Sequence, residues 1–255
     1  MNISKLIIKQ GAGIGDVLFA LRIGRLLYEK YQCKIVWPII DEISWIADYI
    51  DAPYIEWPSY NEYHDLLENP SIPPYPFHLD SETVIVPVAN AWPGDGLSHH
   101  PIMKAKYIML GLDFNGWQDD IKIKRNKNKE KELYYNVLNL TDDSDYTFIT
   151  RQYSTPRAGQ PDMKSPFMPD TLFENHNKIV ESSVIPGYNI FDWLMVIEKA
   201  KDIHLVSTCL VYILEAIDTK LPTINIYNRD DDGNLRQLDF MKPTFKQNWN
   251  FIEAR

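Results

Sequence analysis

The sequence is short of cysteine, of long apolar runs and of positive charge, and each shortage closes off a class of protein. Cys33 and Cys209 are its only thiols in 255 residues. They stand far apart in apolar surroundings, which suits reduced, packed side chains better than a disulfide framework or a metal site. The opening Met-Asn-Ile-Ser-Lys-Leu-Ile-Ile-Lys lacks the extended apolar core of a secretion signal, and no later run approaches bilayer-spanning length. The expectation is a soluble, cytoplasmic chain without a transmembrane segment. Lys and Arg number 26 against 35 Asp and Glu, a net charge of −9, which argues against broad nucleic-acid binding, with its need for positive surface, and leaves room only for a local basic patch. What remains, 45% hydrophobic and 24% charged, is the composition of a globular protein. The length predicts two domains of about 120 residues each.

Lys5 to Lys9 reads as a strand that runs into Gly11-Ala-Gly-Ile-Gly-Asp16, and Val17 to Tyr31 then carries helical periodicity. Arg22, Arg25 and Glu29 share one helix face, with Val17, Leu21, Gly24 and Tyr28 along another. This is the opening βα unit of a Rossmann-like domain, in which Gly13 and Gly15 allow a tight turn and close approach of a ligand. A dinucleotide fingerprint would place its third glycine where Asp16 stands and an acidic residue at the end of the second strand; that strand, Lys34 to Trp37, runs instead into Pro38. A nicotinamide or flavin oxidoreductase is therefore disfavoured. A carboxylate at a helix start also repels pyrophosphate, so Asp16 is read either as a capping residue or as a group facing something that loses a proton. Glu82 to Val88 is a further strand. It empties into a loop holding Asp95, His99 and His100, runner-up acid/base candidates against the reading of a solvated turn. Lys104 to Leu112 looks helical, and the basic run Lys122 to Lys131 reads as a solvated linker or surface face, placing the boundary between domains 1–125 and 126–255.

In the second half, Tyr146 to Thr150 is a strand ending at Arg151, a position suited to a bidentate grip on phosphate or, equally, to pairing with a carboxylate. Gln152 to Pro169 holds four prolines and a glycine and reads as a long surface loop whose Arg157 and Lys164 are placed to close over an anion. Lys178 to Ile185 is a strand; Asn189 and Asp192 form a capping-box pattern before an amphipathic helix to about Lys201. The central stretch is Ile203 to Ile217. A short apolar strand gives way at Ser207 and Thr208 to an apolar helix, a junction whose free N–H groups, dipole and hydroxyls suit a phosphate. Leu221 to Tyr227 is another strand. The carboxylates of Asp230 and Asp232 are read as a polar turn in preference to a metal pair. The tail, Phe240 to Phe251, is expected helical or irregular.

Gly13, Gly15, Asp16 and their helix in the first half, with Gly187, Leu194, Ala200, Val206, Thr208 and Pro222 in the second, resemble the heptosyltransferase-like members of the GT-B glycosyltransferases. The chain departs from that pattern at Ser207, Cys209 and Tyr212, where the family has an acidic residue, a glycine and a histidine. The resemblance implies an α/β protein of two Rossmann-like domains facing a cleft, the first for a glycan acceptor and the second for a nucleotide-diphosphate sugar. It further implies inverting transfer without a metal or other cofactor. Asp16 would take the acceptor's proton; Ser207, Thr208 and Arg151 would hold the diphosphate, with the base near Gly187 and Tyr188. A non-catalytic nucleotide-sugar or glycan-binding module is the alternative, since its pocket would look alike.

Overall fold

The computed structural model describes residues 3–11, 13–88, 101–152, 164–174, 178–228 and 238–252. Asp95, His99, His100, Arg157, Asp230 and Asp232 lie outside the described residues. The chain divides into two compact units, Met1–Lys124 and Arg125–Arg255, each a Rossmann-like α/β layer structure.

In the first unit the strands are β1 Lys5–Lys9, β2 Lys34–Val36, β3 Ile55–Glu56, β4 Phe77–His78 and β5 Thr83–Pro87. They lie in the order β3-β2-β1-β5-β4, parallel except for the edge pairing of β4 with β5. Leu6, Ile7 and Ile8 are all buried, because a central parallel strand is covered on both faces and so reads as a continuous apolar run. The crossover helix α1, Ile14–Tyr31, buries Val17, Leu21 and Gly24 along the face expected, while Tyr28 at the end of that face is exposed. Its other flank carries Arg22 and Arg25, which both bond the buried carboxylate of Asp120, and Arg25 also reaches Glu29 four residues on at 2.6 Å. Short helices α2 Ile46–Tyr49 and α3 Tyr60–Leu67 lie between β2 and β4 in the chain, and α4 Ile102–Ile108 packs beside α1.

The second unit is a wholly parallel sheet. Its strands β6 Thr147–Thr150, β7 Ile179–Glu181, β8 Asp202–Val206, β9 Ile224–Tyr227 and β10 Trp249–Ile252 lie in the order β10-β9-β8-β6-β7. Three sequence expectations hold only in part. The basic run is largely exposed, as a surface face, and the boundary between the units falls within it, but it is no bare linker: Lys127–Lys131 forms α5, and Arg125 beside it turns to bind both Glu130, which is fully buried, and Glu198 (2.5 Å). The Asn189–Asp192 capping box forms as expected, but the helix behind it, α6 Leu194–Glu198, ends early because Asp202 opens β8. The tail keeps a short helical turn at Lys242–Thr244 and then supplies β10, the edge strand, which was not expected.

That strand is fastened through α7, Leu210–Glu215. Glu215, with no exposed surface, accepts from the backbone N–H groups of Lys246 (2.5 Å) and Gln247 (3.0 Å) and from Trp249 Nε1 (2.6 Å). Gln247 in turn donates to the carbonyls of Leu214 and Thr219 and accepts from Leu221 N–H.

Burial pushes the Glu198 carboxyl up, but bonds from Arg125 and Thr219 outweigh it and leave the carboxyl below its ordinary range. A depressed carboxylate stabilises the fold above its unfolded-state pKa, and that contribution is lost as pH falls through the folded-state value. Glu198→Gln is therefore expected to lower the urea midpoint at pH 7 and to show a smaller further drop than the wild type between pH 5 and pH 3. Equal drops would contradict the assignment.

Candidate functional site

In a parallel α/β sheet, ligands bind at the carboxyl edge, where loops diverge from the strand ends. In the first unit that edge begins at Gln10, Trp37 and Val88, the residues that follow β1, β2 and β5. Trp37 Nε1 donates to the Gln10 carbonyl at 2.9 Å, and Val88 N–H to the Lys9 carbonyl at 3.1 Å, so the strand ends are tied to one another.

The glycines of the following loop have specific work. An added Cβ on Gly11 would sit 2.4 Å from the ring of Tyr60, and one on Gly13 would sit 2.6 Å from the Asp16 carboxylate. The close approaches at these two positions are thus made by the chain's own side chains. Gly13 also has φ +84°, a conformation that L side chains rarely adopt. Gly15 is the second residue of α1.

Gly13, not Asp16, is the N-cap of α1, and no side chain caps it. Asp16 lies in the first turn, with its side chain 36% exposed, and its Oδ1 is 3.0 Å from Lys106 Nζ. Lys106, on α4, has only 1% of its side chain exposed. Its ammonium also donates to Gln10 Oε1 at 2.6 Å and to the Val88 carbonyl at 2.8 Å. Burial pushes its pKa down, and the Asp16 carboxylate opposes that push. Sequence reasoning missed Lys106, although a signal was there. Met103, Lys106 and Tyr107 stand at i, i+3 and i+4, so the lysine shares a helix face with two apolar residues that are both buried.

In the second unit, the parallel register sets Thr150 beside Leu205 and Val206 beside Tyr227. Arg151, Ser207 and Asn228 therefore leave the sheet at the same edge. The long loop returns to it. Lys164 pairs with Gln152, Ser165 N–H donates to the Arg151 carbonyl at 3.0 Å, and Ser165 Oγ donates to the Asn228 carbonyl at 2.6 Å. The Arg151 guanidinium is held by Glu181 on β7 and by Asp170, whose side chain is 88% exposed. Of the two roles open to it from sequence, this geometry displays the carboxylate pairing. The same guanidinium holds the Asp170 carboxyl below its usual range.

The junction at Val206 is a strand leading to a helix, but that helix is a turn and a half, Leu210–Glu215, rather than extending to Ile217. Ser207 N–H bonds the Tyr227 carbonyl, and Thr208 Oγ1 accepts weakly from Leu210 N–H at 3.4 Å. Burial pushes the Cys209 thiol up to about 12, so this helix start does not create a thiolate. Gly187, at φ +87°, gives its carbonyl to Lys129 Nζ at 2.9 Å. The neighbouring Tyr188 phenol is pushed up by desolvation and by Glu132.

No family model and no curated protein matches the sequence. Among solved structures, a glycosyl transferase of family 9 from Veillonella parvula superposes with a TM-score of 0.53 at 9% identity, covering 100% of this chain and 87% of that one. The E. coli ADP-heptose lps heptosyltransferase II gives 0.53 at 10% identity, covering 98% and 90%. The chain has the fold of the heptosyltransferase-like GT-B glycosyltransferases. Among the described residues no helix is long and apolar enough to cross a membrane.

Proposed function

We propose that the protein is an inverting, metal-independent glycosyltransferase that moves a sugar from a nucleotide-diphosphate donor to a hydroxyl of a glycan acceptor. The observation that carries this reading is the Asp16 carboxylate, half-exposed at the carboxyl edge of the first sheet and held there by an ammonium, in a fold shared with glycosyltransferases. Asp16 takes the proton of the acceptor hydroxyl while that oxygen bonds to the anomeric carbon. The bond from that carbon to the diphosphate breaks in the same step, the electron pair leaves with the nucleotide, and the anomeric configuration inverts. Negative charge gathers on the leaving diphosphate. The hydroxyls of Ser207 and Thr208 meet it, and Arg151 joins them by exchanging the exposed Asp170 for phosphate. Lys164 stands beside that arginine's strand end, and the base lies toward Gly187 and Tyr188. The first unit, then, is the acceptor domain and the second the donor domain.

The experiment is a melting screen against ADP, GDP, UDP and TDP and their sugars, with ADP first because one structural neighbour is an ADP-heptose transferase. A true donor nucleotide at a hundred times its Kd stabilises the native state by about 2.7 kcal/mol. It is then turned over with an acceptor, in the presence of a chelator. A screen in which no nucleotide raises Tm sinks the reading; binding without turnover, with or without the chelator, converts it to a non-catalytic nucleotide-sugar-binding module.

A further inference from the structure

Lys106 is the buried ionisable side chain for which neither the fold nor the transfer step gives a reason. Lysine is almost never buried without a partner, and a well-packed apolar side chain in such a place is often as stabilising as an ion pair or more so. Here the three ammonium donors meet three acceptors, Gln10 Oε1, the Val88 carbonyl and Asp16 Oδ1. Two of the three belong to the end of the sheet. The backbone at Gln10 is fixed by Trp37 and that at Val88 by Lys9. The remaining bond points outward, to the carboxylate.

Asp16 needs such a hold because of where it sits. In the first turn of an 18-residue helix, unsatisfied N–H groups and the positive end of the dipole attract a carboxylate toward the helix itself. A carboxylate so engaged is not presented to an acceptor. Gly13 leaves room for the observed placement, since a Cβ there would come within 2.6 Å of Asp16 Oδ2. We infer that Lys106 is a positioning residue for Asp16: anchored on Gln10 and Val88, it fixes one carboxylate oxygen so that the group faces the acceptor hydroxyl instead of its own helix. The pairing is read from geometry alone, while its catalytic consequence rests on the proposed transfer.

The test is a double-substitution cycle of Asp16→Ala and Lys106→Met, followed by thermal melting and by release of nucleoside diphosphate from a panel of ADP-, GDP-, UDP- and TDP-sugars supplied with glycan acceptors. Asp16→Ala strands a buried charge, so adding Lys106→Met is expected to raise Tm above that of Asp16→Ala alone. Turnover by Lys106→Met falls about 10²-fold, with the donor KM unchanged, as for a misplaced catalytic group. The same substitution costs nothing further in the Asp16→Ala background. Should Lys106→Met not fold, Lys106→Gln enters the same cycle. Additive melting shifts overturn the pairing, and additive losses of turnover overturn the positioning role. If the wild type turns over no sugar in the panel, the transferase reading fails, and the melting cycle still decides the pairing.

Discussion

Asp16→Asn slows sugar transfer by about 10²–10⁴-fold, the usual worth of a positioned base, while the affinity for the nucleotide diphosphate stays where it was. The expectation of unchanged affinity follows from topology. Asp16 lies in the unit Met1–Lys124, whereas Arg151, Ser207 and Thr208 lie in Arg125–Arg255. An amide keeps the size and one acceptor oxygen of the carboxylate, so Lys106 retains a partner and the fold is preserved. What the amide cannot do is take a proton from an alcohol. Calorimetric titration with nucleotide and initial-rate transfer assays on the same preparation separate the two quantities. Near-normal transfer by the variant removes Asp16 from the chemistry, and lost nucleotide affinity would mean that the two roles had been divided wrongly between the units.

The largest effect on stability is expected at Glu215. Its carboxylate is inaccessible to solvent and gathers three N–H donors, those of Lys246, Gln247 and Trp249. Glu215→Ala strands donors that cost about 1–3 kcal/mol each when left unmet in the interior. A total loss of about 3–5 kcal/mol places the substitution among the severe ones. Glu215→Gln preserves the volume but turns an N–H₂ group toward donors, and it should recover only part of the loss. Urea unfolding followed by tryptophan fluorescence and by far-UV circular dichroism reads both variants. A change below about 1 kcal/mol would mean that β10 is held by its pairing with β9 alone.

Much of the architecture was legible in the sequence because its signals are local. The run Leu6-Ile7-Ile8, the glycine loop and the alternation of strand and helix after Asn189 each declare their element within a dozen residues. The ends of elements were less legible. β7 was expected to run to Ile185 and stops at Glu181, and α7 stops at Glu215, since strand length is set by neighbours in the sheet rather than by apolar composition. The tail escaped for the same reason. Trp249 to Ile252 becomes a strand because β9 offers it an edge and Glu215 fixes its approach, both long-range facts.

In the candidate site, Asp16 was visible because a carboxylate in a glycine loop is chemically conspicuous. Its partner is 90 residues away on another helix, and nothing in local periodicity joins the two. The glycines were read as room for a ligand at Gly13 and Gly15, whereas the close neighbours are the chain's own, Tyr60 at Gly11 and Asp16 at Gly13.

The place of β10 in the second sheet has a consequence for aggregation. β9 is an interior strand of the finished sheet, but without residues 249–252 beside it β9 presents a row of unpaired amides and carbonyls, an invitation to pair with another chain. A chain truncated after residue 240 should therefore aggregate or recruit chaperones, although nearly all of its core is retained.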